Sequence, residues 1–314
     1  EMTYWGVPGT DLGTGAIGWV GPVLMISGTE EQKSEHLPPI ANAERYWCTL
    51  YSEPGSGSDL ASLQTSAVRD GDDYIINGQK IWTSSGHIAD WGWLAARTDP
   101  DAPKHRGISL FMLDMKSQGV TVRPIVNMAG SHEFNEVYFD NVRVPKGNLV
   151  GEENRGWYTL AVALDFERSG VGYSASARRT LETLVKYAKE TERNGKPLSE
   201  DPIVRHKLAE RKIEIEVSRW LSYQVAWMQS QDMVPNAEAS MSKLFGTELT
   251  QKVALTGMDI LGMTGQLSKG SKWAPLQGYI QRLSLSSVSS TIAAGTSEIQ
   301  RDIIARRGLG LPRA

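Results

Sequence analysis

Three textures of hydrophobic patterning succeed one another along the chain. From Thr10 to Ala43, helical periodicity is interrupted by the breakers Gly21-Pro22 and Pro38-Pro39, and Thr29-Glu30-Glu31-Gln32 has the form of a capping box opening a short helix. From Arg45 to Val150 the pattern shifts to short runs rich in Val, Ile, Tyr, Trp and Phe, punctuated by turn signals at Asp70-Gly71-Asp72 and Asn77-Gly78. That spacing predicts antiparallel β structure, a small barrel or sandwich. Leu110-Phe111-Met112-Leu113 and Val137-Tyr138-Phe139 are apolar enough for strands covered on both faces, and Pro145 closes the region.

Beyond the loop Gly151-Glu152-Glu153-Asn154-Arg155-Gly156 the pattern is helical almost to the end. Ile213, Val217, Leu221, Val225 and Met228 fall at spacings of four, four, four and three, which predicts one buried face of a bundle helix. Pro197, Pro235 and Pro275 mark expected boundaries between successive helices. Between Ser284 and Ser290 the chain is Ser-rich, yet Leu283, Leu285, Val288 and Ile292 thread the stretch at helical spacing, so a small-residue packing face is expected rather than a linker.

Composition narrows the function. The 314 residues are 40% hydrophobic, enough for a large folded core. A formal net charge of −3 supplies no basic face for DNA or RNA, so no nucleic-acid partner is expected. No apolar run approaches the ~18 residues of a membrane span. The single Cys48 rules out an intrachain disulfide and a Cys-based metal cluster; it is expected as a buried inert thiol, and a cytoplasmic location fits. A nicotinamide-binding unit is disfavoured because Gly55-Ser56-Gly57-Ser58-Asp59-Leu60 lacks the third glycine and no helical pattern follows it.

Ser52-Glu53-Pro54-Gly55-Ser56-Gly57-Ser58-Asp59, Lys80-Ile81-Trp82-Thr83-Ser84-Ser85 and Ala294-Gly295-Thr296-Ser297-Glu298-Ile299-Gln300-Arg301 occur in this order. Alone, a Gly/Ser string is a surface turn and a capped helix start is structural. Together the segments resemble the acyl-CoA dehydrogenase family over nearly all the chain after residue 10. The resemblance implies an α+β fold with a helical N-terminal remnant (1–44), a middle antiparallel β barrel or sandwich (45–150) and a C-terminal four-helix bundle (151–314). The sequence opens on Glu1 part-way through the family's first domain, so a preceding segment is expected and a targeting peptide cannot be read.

The resemblance further implies FAD as cofactor and an acyl-CoA substrate. It places Thr49, Tyr51 and Ser52 along the flavin ring, Gly57 and Ser58 near the phosphates or the CoA, Trp82 stacked on the ring and Ser84 at its reactive nitrogen. Thr296 and Glu298 would contact the flavin, and Arg168 the substrate. Many members carry a catalytic glutamate directly before the Gly-Thr step, where this chain has Ala294; a subset places it where Glu167 stands, so Glu167 is the expected base. A bulky, branched or long acyl group is expected.

Thr191, Asn194, Asp259 and Met263 replace residues that commonly reach a neighbouring subunit's flavin or the adenine end, leaving Arg193 to compensate. Two rival readings remain open: a flavin-poor partner subunit of a heteromeric dehydrogenase, and a flavin oxidase or monooxygenase on the same scaffold. Electron-transfer flavoprotein is the expected acceptor, and a homo- or hetero-oligomer, a dimer or tetramer, the expected state.

Overall fold

A computed structural model describes residues 1–7, 16–160, 171–231 and 233–312. The chain forms two compact units, Pro8–Glu167 and a second made of Glu1–Val7 with Arg168–Ala314. The helices include, in chain order, α1 (Met2–Trp5), α2 (Gly21–Ser27), α3 (Glu30–Ala41), α4 (Val171–Glu190), α5 (Pro202–Ser230), α6 (Asn236–Leu261), α7 (Tyr279–Ser290) and α8 (Ser297–Ile303).

Within Pro8–Glu167, the described strands are β1 (Trp47–Leu50), β2 (Ser66–Asp70), β3 (Asp73–Ser84), β4 (Trp91–Arg97), β5 (Ile108–Asp114), β6 (Val120–Val126), β7 (His132–Pro145) and β8 (Leu149–Val150). They form one sheet in the order β6-β7-β3-β2-β4-β5-β8, with β1 paired to β4. Most pairings are antiparallel, but β1 runs parallel to β4. The alternation of β4 and β5 divides the core. Trp93, Ala95, Leu110 and Met112 join α2 and α3 through Val23, Leu24 and Ile40. Leu94, Ala96, Phe111 and Leu113 face the other way, onto Tyr74, Ile76, Val137 and Val142. The 110–113 run is therefore covered on both faces as expected, whereas Tyr138 is only half-buried between buried Val137 and Phe139 and bonds Glu136 from its hydroxyl.

The Thr29 capping box forms as read: Thr29 Oγ1 accepts from the Gln32 amide, and the Gln32 side chain accepts from Thr29 N. Gln32 also donates to the carbonyls of Gly147 and Leu149, tying α3 to the end of the sheet. Two turn readings need correction. Gly21-Pro22 opens α2, with the proline in its first turn where a missing N–H costs nothing, and Pro38-Pro39 lie inside the last turns of α3. Asp70-Gly71-Asp72 does turn, but Asn77-Gly78 lies within β3 at a register shift against β7. Gly78 has φ +141°, and a Cβ there would stand 2.8 Å from the Thr65 Cα, so the glycine serves close backbone approach.

In the second unit α4, α5, α6 and α7 form a bundle, with α8 packed on α6. Pro197, Pro235 and Pro275 all fall between helices. On α4, Ala177, Leu181, Leu184 and Ala188 face the core with Leu249, Val253 and Ile280. The face expected on α5 is wrong in its first half, since Ile213 and Val217 are exposed. Its buried face is Val204, Leu208, Arg211, Ile215, Ser218, Ser222, Val225 and Met228. A strict four-residue step rotates about 40° per step around a 3.6-residue helix, so it cannot hold one face. The true seam includes Arg211, which pairs with Glu214, and Ser222, whose hydroxyl lies 3.2 Å from that of Ser242. The Ser-rich stretch is helical and buries Ser287 but leaves Val288 and Ile292 exposed. Gly257 lets α7 approach, because a Cβ there would meet Ile280 at 2.8 Å.

Candidate active site

The exit of β1 and the far half of β3 are joined by a buried ion pair. Lys80, fully buried, donates from Nζ to Glu53 Oε1 at 2.8 Å and to the Tyr51 carbonyl at 3.0 Å. The Glu53 carboxylate also accepts from the amides of Gln64 (2.6 Å) and Thr65 (2.8 Å). Burial pushes the Glu53 carboxyl up, but the Lys80 charge and these hydrogen bonds outweigh it and hold the group below its ordinary range. Burial likewise pulls the Lys80 ammonium down, to about 8, against the opposing pull of Glu53. Glu53 and Ser56 exchange backbone bonds at 2.9 and 3.0 Å, which closes the Gly/Ser turn, and Ile81 N donates to the Ser52 carbonyl at 2.8 Å. Glu53 and Lys80 lie inside the sequence motifs without an expected role; a Glu and a Lys in otherwise strand-like apolar surroundings are the available signal.

Around this clamp the structure gathers seven of the expected cofactor residues in one unit. Thr49, Tyr51 and Ser52 are half-buried along β1 and its exit, while Gly57 and Ser58 are exposed in the turn. A Cβ on Gly57 would meet nothing within 4 Å, so the turn is open on that side. Asp59 anchors the turn's far end through Lys104 at 2.8 Å. Trp82 sits at a second register shift of β3 with φ +63°, a conformation that costs a bulky residue about 1–3 kcal/mol and persists only where the surroundings impose it. Its indole is 57% exposed, with Phe134 edge-on at 6.2 Å. Ser84 is exposed at the strand's end, and the buried hydroxyls of Ser56 and Thr83 lack hydrogen-bond partners among the described residues. An exposed indole, hydroxyls and an open Gly/Ser turn fit a flat ring system carrying phosphates.

Thr296 and Glu298 belong to the other unit. Thr296 caps α8, its Oγ1 accepting from Ile299 N at 3.2 Å. Glu298 is exposed, and hydrogen bonds from its own amide and from Thr296 hold its carboxyl below the ordinary range. The loop before the cap carries Ala294 at φ +53° and Gly295 at φ +88°. Gln300 Nε2 donates to both their carbonyls at 3.2 Å, and buried Lys243 donates to Gly295 O at 2.6 Å and Ser290 O at 3.3 Å. Lys243 too was missed, because a lysine within a helical pattern reads as solvated. A cleft of about 440 Å³ opens beside α8, where Arg301 pairs with Glu248 at 2.5 Å.

Glu167 and Arg168 lie outside the described residues. Thr191 is half-buried, Asn194 and Gly195 form the turn of a two-residue hairpin, Asp259 pairs with Lys207 at 2.6 Å, and Met263 is exposed. Arg193, the suggested compensator, donates to the Ile260 carbonyl at 3.1 Å and so caps α6. Cys48 is buried against Met115, its thiol pushed up to about 12 by burial. Among the described residues no helix is long and apolar enough to cross a membrane.

Comparison with known proteins gives this arrangement its class. Residues 48–142 match the acyl-CoA dehydrogenase middle domain and residues 154–309 the acyl-CoA dehydrogenase C-terminal domain. Acyl-CoA dehydrogenase FadE26 of Mycobacterium tuberculosis is 41% identical over 302 residues, covering 94% of this chain and 75% of that protein. The ChsE4-ChsE5 complex from the same organism matches with a TM-score of 0.92 and 39% identity over 100% of this chain and 80% of that one. The Tcur3481-Tcur3483 steroid ACAD matches with a TM-score of 0.90 and 39% identity, over 96% and 77%. The fold is that of a flavin-dependent oxidoreductase. The chain belongs to the acyl-CoA dehydrogenase family. Its reaction is the dehydrogenation of an acyl-CoA thioester, and its cofactor is FAD.

Proposed function

We propose that the chain removes the α-proton and β-hydride of a bulky or ring-bearing acyl-CoA, giving the trans-2-enoyl thioester, with Glu167 as the proton acceptor. FAD, when bound, accepts the hydride. One observation carries the assignment: the position before the Gly-Thr step is Ala294, exposed and without a titratable group, so the proton needs another carboxylate. Glu167 takes that proton as a carboxylate, a step that gains from an apolar setting that raises its basicity. A backbone amide beside the base would hydrogen-bond the thioester oxygen and acidify the α-carbon. On the flavin side, Trp82 would cover the ring and exclude water. Ser84, Thr49, Tyr51 and Ser52 would line the ring, and Gly57 and Ser58 would hold phosphate. Thr296 and Glu298 are proposed as further flavin contacts, and Ser58 and Arg168 as substrate contacts.

Bulk in the acyl group is supported by the steroid ACAD among the structural relatives. Straight, branched and ring-bearing acyl-CoA thioesters assayed with an artificial electron acceptor test it. Turnover is expected to be highest on the ring-bearing thioester, and strict preference for short straight chains would refute the reading. Electron-transfer flavoprotein is the proposed physiological acceptor.

A second reading, membership of a heteromeric dehydrogenase, is favoured by Asp259 being engaged with Lys207 and Met263 lying in solvent, which leaves the proposed adenine-end contacts altered. A yellow, bleachable protein when purified alone speaks for a self-sufficient enzyme. A colourless one that turns yellow with a sister subunit speaks for the heteromer.

A further inference from the structure

We propose that Asn135, braced by His87 and His132, is a positioning residue that fixes the backbone at Trp82 and so sets the angle at which its indole meets the flavin; this rests on the reading of Trp82 as the ring-facing residue. On β3 and β7, Lys80 stands opposite Val137 and Thr83 opposite Asn135. Two residues of β3, Ile81 and Trp82, therefore stand against Glu136 alone. This is a bulge, and it leaves ladder groups without their usual partners.

Asn135 fills the gap. Its side chain is fully buried and donates from Nδ2 to the Thr83 carbonyl at 3.0 Å, one peptide beyond Trp82. The same amide nitrogen lies 3.3 Å from His87 Nδ1, and Oδ1 lies 2.8 Å from His132 Nε2. Both amide hydrogens and the amide oxygen are thus engaged, which requires His87 to accept at Nδ1 and His132 to carry its proton on Nε2. The two imidazoles stack on each other at 4.0 Å and 26°. Thr83 itself is buried, so the bond to its carbonyl fixes the Thr83–Ser84 peptide and, through the buried Thr83, the backbone just beyond Trp82. Asn135, His87 and His132 lie outside the flavin-side motifs, and their positions in the sequence give no local signal.

A double-mutant cycle in the full-length protein, stripped of FAD and titrated back, tests the proposal. FAD Kd and the visible circular dichroism of the bound flavin are measured for wild type, Asn135→Leu, Trp82→Ala and the pair. Asn135→Leu is expected to weaken FAD about tenfold and alter the flavin dichroism when Trp82 is present, but to change Kd less than about twofold in the Trp82→Ala background. His132→Gln, which keeps a donor to Asn135 Oδ1, is expected to stay near wild type and serves where Asn135→Leu fails to fold. Equal losses in both backgrounds, an unchanged Kd and dichroism in Asn135→Leu, or a tenfold loss of FAD affinity in His132→Gln would overturn the network alone. Unchanged FAD binding in Trp82→Ala would overturn the reading of Trp82 and the network with it.

Discussion

A buried ammonium is costly, and Lys80 is tolerable because Glu53 and the Tyr51 carbonyl accept its hydrogen bonds. Removing one partner is therefore worse than removing both. Glu53→Gln is expected to destabilise the protein by about 3–5 kcal/mol in denaturant unfolding, while Glu53→Leu with Lys80→Met recovers most of that. The double variant should still bind FAD more weakly, since the tie between β1 and β3 is gone. The folded Glu53 carboxyl lies below its unfolded value, so its contribution to stability is fully present above the ordinary carboxylate range. It is lost as pH falls through the folded value, and urea midpoints measured down to acid pH should show a shallower fall for the double variant. At the other loop, Lys243→Met removes the donor to Gly295 and Ser290. FAD affinity is expected to drop about tenfold, from the loss of a charged hydrogen bond that orders the Ala294–Thr296 backbone. Unaltered affinity would mean that loop does not touch the flavin.

At the scale of elements, legibility followed the range of the forces. The Thr29 box and the Thr296 cap are closed by neighbours three residues away, and both stood in the sequence. Asn77-Gly78 has the letters of a hairpin turn but the position of a bulge, because what governs it is Thr65, thirteen residues back and packed against Gly78. On α5 an apolar count finds Val225 and Met228 but not Arg211 or Ser222, which meet partners in the next turn and on α6. The flavin-side motifs were legible as a resemblance, while the Glu53–Lys80 pair and the Asn135 network that hold them are tertiary. Substituting Gly78→Ala should accordingly cost about 1–3 kcal/mol in thermal unfolding, from overpacking against Thr65 and the positive φ, where an exposed Asn-Gly turn would lose less.

For the whole molecule, Ile213, Val217, Trp220 and Trp227 expose an apolar stripe along α5 at spacings of four, three and seven. Such a stripe suits burial against a second chain of the same fold. Light scattering is expected to report a dimer or larger assembly that Trp220→Lys with Trp227→Lys reduces in mass; an unchanged mass would place association elsewhere. The chemistry of the assembled enzyme turns on where the proton goes. The most direct measurement is anaerobic stopped-flow bleaching of the flavin by a ring-bearing acyl-CoA, wild type against Glu167→Gln. With Glu167 as the base, the bleaching rate is expected to fall by about 10²–10⁴ while FAD stays bound, the usual worth of a positioned base. Bleaching at near wild-type rate in Glu167→Gln would exclude Glu167 from that role.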